Sequence, residues 1–549
     1  MARLALYLLA FFFATIAVFG ADAAGYVGSK TCYGCHTEIY RSFIKTDMGR
    51  SLHLASDLDQ SALPAEASVS LPSSGRTLRV FHDADGWHQS ESEPNVFVDE
   101  HKLSYAVGAG SNGFTFLINR GNRLFQAPLS FYSKTAAWEL SPGYEFADYA
   151  FTRPIPDGCV FCHSGRAQPV ANRPAEYLNP PFEELSIGCE NCHGPGEAHV
   201  HDPKREGTIV NPAKLSSRLA ENICMGCHQE GDDRVLLPGK SYADIRPGHW
   251  LLETLAIFKI PAQTEQQREQ DLLEHNEAMQ ASRCFRESGG KLSCLTCHDP
   301  HVQRRGEVSA YFRPKCLTCH NEQSCKVPLA ARQQHAPPDD CIGCHMPKRA
   351  IATISHSALT NHRIPARPDE PLPASLPAWG LSGDTGLRVV DRKGNGTAVV
   401  PDVTLLAAYN ALAAKSPEYR QRFLDLLDKL DHAHDKSPYV QAALAHKALA
   451  EGKNEQALDY LEIGIQFSDA TVYLDKAKAL VNVGRVDDAA TTLAAGVELF
   501  PYQQELRKTL ILEYINLKRY TDAQKAMEEY VGLFPEDSFM RKLLERVTH

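Results

Sequence analysis

One short pattern recurs through the first 345 residues and limits what this chain can fold into: Cys, any two residues, Cys, His. It stands at Cys32/Cys35/His36, Cys159/Cys162/His163, Cys189/Cys192/His193, Cys224/Cys227/His228, Cys294/Cys297/His298, Cys316/Cys319/His320 and Cys341/Cys344/His345. Seven copies of two cysteines take 14 of the 16 cysteines. Two thiols one helical turn apart can each add to one vinyl group of the same porphyrin. The histidine that follows then lies under the iron, so the pattern reads as the attachment site of a c-type haem. The rival reading is a zinc ribbon, but zinc ribbons do not require a histidine directly after every second cysteine. The expectation is seven covalently bound haem c groups, each with one of these seven histidines on its iron. The segments between motifs hold few long apolar runs, as expected where porphyrins supply much of the interior.

The 549 residues suffice for about two to four domains. Residues 1–24 read as a signal peptide: Arg3 is the only charge before an apolar run from Leu4 to Phe19, and Ala21-Asp22-Ala23 resembles a small-residue cleavage site. The apolar run is short for a membrane span, and no second stretch is long and apolar enough for one. The mature chain is expected to have no transmembrane span and to be exported, to the periplasm or cell surface of a bacterium, where haem attachment takes place. The net charge of −10 argues against nucleic acid as a partner and favours basic patches on redox proteins, such as other cytochromes or quinol-oxidising complexes.

Around the motifs the chain resembles multihaem cytochromes related to hydroxylamine oxidoreductase and to the tetrahaem carrier that serves it. The resemblance covers residues 26–365. In the first haem segment of that family a histidine commonly ligates iron about where Met48 stands here. The departure implies either a thioether ligand, which raises a haem potential, or a packing methionine with His53 as the ligand instead. Ile187 to His199 contains Cys-His followed by Gly-Pro-Gly, a sharp turn. In relatives with this pattern the trailing histidine coordinates a neighbouring haem, which implies that role for His199, with His201 as the neighbouring alternative. Cys297-His298-Asp299-Pro300-His301 resembles the Cys-His-x-Pro-His element of multihaem nitrite reductases, where the later histidine ligates a second iron; this points to His301.

Other candidates come from the residues alone. A helix is predicted over 263–283, with Leu272, His275 and Met279 on one face, so His275 is either a ligand or a core histidine. His356 and His362 follow the last motif, and His362 is the stronger candidate. His249 is a weaker one. Cys284 and Cys325 are left over and would suit a disulfide in an exported chain. Residues 66–134 are rich in short β-type runs, with a hairpin signal at Asp83-Ala-Asp-Gly86. They read as a small antiparallel insertion, and His82, His88 and His101 within it read as surface residues rather than ligands, although His101 opens a strand and could reach inward.

Prolines 365, 368, 371, 373 and 377 mark a stiff linker over 366–402. The tail, 403–549, repeats: Gly452/Ala457, Gly484/Ala489 and Lys518/Ala523 recur at spacings of 32 and 34 residues, and Pro501 and Pro535 are 34 apart. This resembles the tetratricopeptide repeat, whose helix pairs stack into arrays with a concave face for a protein partner. The predicted fold class is therefore mainly α: a multihaem cytochrome c domain over 25–365 carrying a small antiparallel β insertion, followed by a tetratricopeptide-like α-solenoid.

Two functions fit. The first is electron transfer along a chain of closely spaced haems. The alternative is a multihaem oxidoreductase acting on a small nitrogen or sulfur compound, of the nitrite, hydroxylamine or tetrathionate type, at one open haem. The Cys-x-x-Cys-Lys motif common in nitrite reductases of this class is absent from the sequence. A tyrosine-crosslinked haem of the hydroxylamine oxidoreductase kind stays open among the 20 tyrosines.

Overall fold

The computed structural model describes residues 25–549 except 60, 62, 72–73, 230, 262–274, 304–307, 351–357, 368–369, 374–385, 392–398 and 549. The expected leader, His356, the first part of the helix expected over 263–283 and the middle of the proline-rich segment lie outside these.

Alternation of side chains builds the first large unit. Strands β1 (Leu52–Leu54), β2 (Glu66–Leu71), β3 (Arg76–Asp83), β4 (Gly86–Glu93) and β5 (Phe97–Lys102) are followed by β6 (Tyr105–Val107), β7 (Gly113–Arg120), β8 (Arg123–Gln126), β9 (Leu129–Tyr132) and β10 (Ala137–Leu140). β2 to β5 form an antiparallel meander, and β1-β6-β7-β9-β10 form a second antiparallel sheet with β8 paired to β7. Leu78 and Val80 share one face of β3 because they are two residues apart. With Trp87 they pack on Phe116, Ile118, Leu129, Phe131 and Trp138 of the other sheet. Turn chemistry fixes the hairpins: Asp83 accepts hydrogen bonds from the N–H groups of Asp85 and Gly86. Gly121, at φ 64°, closes the β7–β8 hairpin.

The mainly α expectation with one small insertion is overturned. The structure is 44% helical and 17% strand, with several antiparallel sheets in its N-terminal half. Strands extend beyond 66–134. β11 (Arg166–Pro169) and β12 (Tyr177–Glu184) pair as a hairpin. β13 (Asp233–Leu236) and β14 (Leu255–Lys259) pair with each other, β15 (Lys348–Ala350) with β16 (Ala358–Thr360), and β17 (Arg388–Val389) adds to β14. The physical reason is clearest at β14. Its five residues are all buried, so no polar face alternates with the apolar one, and a short continuous apolar run does not distinguish strand from helix.

The cysteine motifs form single helical turns. The N–H groups of His36, His193, His298 and His320 donate to the carbonyls of Cys32, Cys189, Cys294 and Cys316 at 2.9, 3.0, 2.9 and 3.0 Å. The other three motifs lie within helices Asp157–His163, Ser217–His228 and Cys341–His345.

From helix Asp402–Leu412 to helix Ser538–Thr548 the chain is an array of helix pairs. Ala457, Ala489 and Ala523 are buried at equivalent positions. The turns inside three successive pairs take a left-handed residue, Gly452, Gly484 and Lys518, at φ 75°, 83° and 59°. The array packs against the N-terminal half around β14 and around the β7–β8 turn. Phe258 of β14 and Val389 of β17 share a core with Leu405, Tyr409, Leu412 and Tyr419. Tyr502 meets Phe125 with ring centroids 4.6 Å apart, and the Arg120 guanidinium lies 4.8 Å from the Tyr502 ring. Arg120 and Arg123, at the β7–β8 turn, donate to the carbonyls of Leu533 and Leu499 at 3.3 and 2.9 Å. Those carbonyls end two helices of the array, where the helix dipole favours a cation. No helix among the described residues is long and apolar enough to cross a membrane.

Candidate functional site

The motif helices are stitched to one another by side chains between and beside the cysteines. Glu190, which follows Cys189, is buried and accepts hydrogen bonds from the N–H groups of Val27, Gly28 and Gly196 at 3.0, 2.8 and 2.8 Å. The Ser29 hydroxyl accepts from the Cys189 N–H at 2.8 Å. The first and third motifs therefore lie side by side, and the neighbouring Cys189 thiol, with burial, pushes the Cys32 pKa up. The neighbouring Cys162 thiol, with burial, likewise pushes Cys227 up.

A cavity of about 3270 Å³ runs between the later motifs. Its wall includes Cys159, Cys162, His163, Cys192, Cys224, Cys227 and His228 from motifs two to four. Motifs five to seven add Cys294, Cys297, His298, Cys316, Cys319, His320, Cys341, Cys344 and His345. Small-molecule pockets usually measure about 300–1,000 Å³, so the space suits several large groups. Cys32, Cys35, His36, Cys189 and His193 lie off this wall, beside it. Among the described residues no cluster of three or more His, Cys, Asp or Glu side chains is placed to hold a bare metal ion.

Histidine rings meet in pairs, each joining a motif histidine to one from elsewhere. The centroids of His36 and His199 are 6.4 Å apart with rings 17° from parallel, and those of His193 and His301 are 6.1 Å apart, also at 17°. His228 stands 6.1 Å from His275 at 83°, and His298 stands 6.0 Å from His362 at 26°. Two metal–imidazole bonds of about 2 Å each, plus the two ring radii, come to about 6 Å. The four pairs thus fit an iron held between two imidazoles. His275 and His362 also touch, with centroids 4.3 Å apart.

Burial favours the neutral form, the one that ligates metal, in four of these rings. It pushes the pKa values of His193, His228 and His362 below the usual histidine range. His275 is pushed down to about 3 by burial and then by His362, His228 and His298. The other ring nitrogen is often tied back: Nδ1 of His193 lies 2.8 Å from the Val210 carbonyl, that of His362 2.8 Å from Thr360 and that of His345 2.9 Å from Pro365. Such bonds orient a ligand and present Nε2 to the metal. These are backbone acceptors, which leave no residue-type signal in a sequence. Glu190 does leave one, an acidic residue between two paired cysteines, and sequence reasoning passed over it.

The remaining candidates are placed differently. Met48 is on the cavity wall. His53 lies in β1 opposite Ala106, its ring edge-on to Phe114 at 6.2 Å, and not on that wall. His249 is largely exposed, 3.6 Å from the Glu253 carboxylate. Cys284 and Cys325 are both on the cavity wall and unbonded to each other.

No family model matches this chain, and no curated protein matches it. Among solved structures it is similar to the outer cell wall cytochrome OcwA, at 15% identity and a TM-score of 0.38, covering 87% of this chain and 100% of that one. The C-terminal part is similar to YrrB, a tetratricopeptide-repeat protein with an unusual peptide-binding site, at 18% identity and a TM-score of 0.22, covering 26% of this chain and 74% of that one. It is also similar to MamA from Desulfovibrio magneticus RS-1, at 16% identity and a TM-score of 0.23, covering 27% and 85%. The functional reading rests on the geometry above.

Proposed function

We propose that this chain is a multihaem c-type cytochrome. More particularly, it is an exported heptahaem electron carrier whose repeat tail docks a protein partner. Each bound haem supplies a one-electron iron couple. The chain's cysteines fix the groups in place, and the motif histidines each supply one bond to iron. His199, His301, His275 and His362 would share in holding the irons of His36, His193, His228 and His298 in that order. Among the described residues Met48 is the thioether candidate, and His356 remains a candidate for a further bond. The rings of His193 and His362, buried and tied back through Nδ1, would hold their irons at fixed ligation, which suits electron transfer with little rearrangement. The concave face that stacked helix pairs offer would take the protein partner, and redox proteins would supply and receive the electrons.

The observation that carries this reading is the set of four ring pairs at 6.0–6.4 Å. The test is the mass and spectrum of the exported protein. Seven haem masses above the cleaved polypeptide, with predominantly low-spin iron and no substantial turnover of nitrite, hydroxylamine or tetrathionate, are expected. A colourless zinc-loaded protein would overturn the haem reading. A haem that is high-spin as isolated and turns over at about 1–1000 per second, the usual enzyme range, would replace the carrier with an oxidoreductase.

A further inference from the structure

The rings in these pairs lean on different acceptors. His193 and His362 use backbone carbonyls, and His199 has the Thr208 hydroxyl 3.4 Å from Nδ1. His301 faces a carboxylate instead. Asp299 Oδ1 lies 3.2 Å from His301 Nδ1, and the same oxygen accepts the His301 backbone N–H at 3.0 Å. The contact is built into the chain. Asp299-Pro300-His301 makes a turn in which the aspartate oxygen caps the amide two residues on, and the Asp299 N–H donates to the Tyr311 hydroxyl at 3.4 Å. One oxygen therefore sets both the backbone at His301 and the direction of its ring, which stands 6.1 Å from His193.

A carboxylate beside the far nitrogen of a ligating imidazole makes that ligand more electron-donating than a neutral group does. A more donating ligand stabilises ferric iron and lowers the potential. We propose that Asp299 is a positioning residue that holds the His301 ring and makes the iron between His193 and His301 harder to reduce than those whose histidines lean on neutral groups. This rests on the haem reading of that ring pair. It places a low-potential centre beside the first motif, because the first and third motifs are joined through Glu190 and Ser29.

The test uses the holoprotein carrying Asp299→Asn. Asparagine keeps the oxygen that caps His301 and removes only the charge. One of the seven redox transitions should move to higher potential, with roughly a tenfold rise in its reduced-to-oxidised ratio at fixed potential, which is about 59 mV for one electron. The iron should stay low-spin, with altered EPR g-values for one haem only. Thr208→Val, which removes a neutral hydroxyl beside His199, should shift its centre less. If every transition and g-value stays put in Asp299→Asn, the inference is wrong. Should that variant fail to load haem, Asp299→Ser keeps an oxygen acceptor and gives the same reading. His301→Ala separates the two layers: no high-spin haem there sinks the ligand reading itself, whereas a high-spin haem with unmoved potentials in Asp299→Asn sinks the tuning role alone.

Discussion

At the scale of single residues, His275 and His362 are the most tightly coupled of the histidines. Each faces a motif histidine at about 6 Å and each touches the other. His275→Ala should turn one iron high-spin and open it to cyanide, and it should also perturb the EPR signal of the iron between His298 and His362. His199→Ala should open one iron as well, while leaving that signal unchanged. EPR with cyanide titration checks both. Much at this scale was legible. The motif spacing marked the cysteines and the seven histidines. Short followers such as Cys-His-Asp-Pro-His and Gly-Pro-Gly-Glu-Ala-His marked His301 and His199. Which motif each of them meets was not legible, because His301 answers His193 rather than the adjacent His298. That choice is made by the fold-back of distant segments.

At the scale of elements, close packing leaves two kinds of glycine. A Cβ on Gly113, at φ 153°, would lie 2.0 Å from the Phe131 carbonyl oxygen where β7 pairs with β9. Gly113→Ala should destabilise by about 3 kcal/mol, the upper range for a single substitution, read as a lower unfolding midpoint. Gly484 meets nothing within 4 Å, so there only the left-handed backbone matters. Gly484→Ala should cost about 1–2 kcal/mol, and Lys518→Gly at the equivalent turn should be neutral or mildly stabilising. The repeat period was readable because these turns fall at fixed intervals. The sheets around the motifs were not: β14 is buried on both faces, and β11 and β12 pair through register shifts that leave no alternation.

At the scale of the whole molecule, the proline-rich segment over 366–402 reads in the sequence as a stiff linker. Leu387 and Val389, near the end of that segment, are buried between β14 and the first tail helices. A chain ending near Arg367 should expose Phe258 and Ala256 and show a lower melting temperature or aggregation, measured beside the full-length protein. The second contact should respond to pH. Burial, with help from Glu91 and Asp99 across the interface, pushes Glu536 up from 4.5 to about 7. The folded state then holds a proton that the unfolded chain has released, so stability from this group is full below about pH 4.5 and is lost as pH rises through about 7. Glu536→Gln should flatten that part of the melting-temperature profile.

The two arginines that grip helix ends from the β7–β8 turn have a mechanical consequence. A repeat array on a loose tether lets its cargo wander. This one is clamped at a second point far along its length, so it behaves as a bracket. Anything moored on the array would be held at one distance and one orientation from the cysteine motifs, a reach set by the fold beforehand.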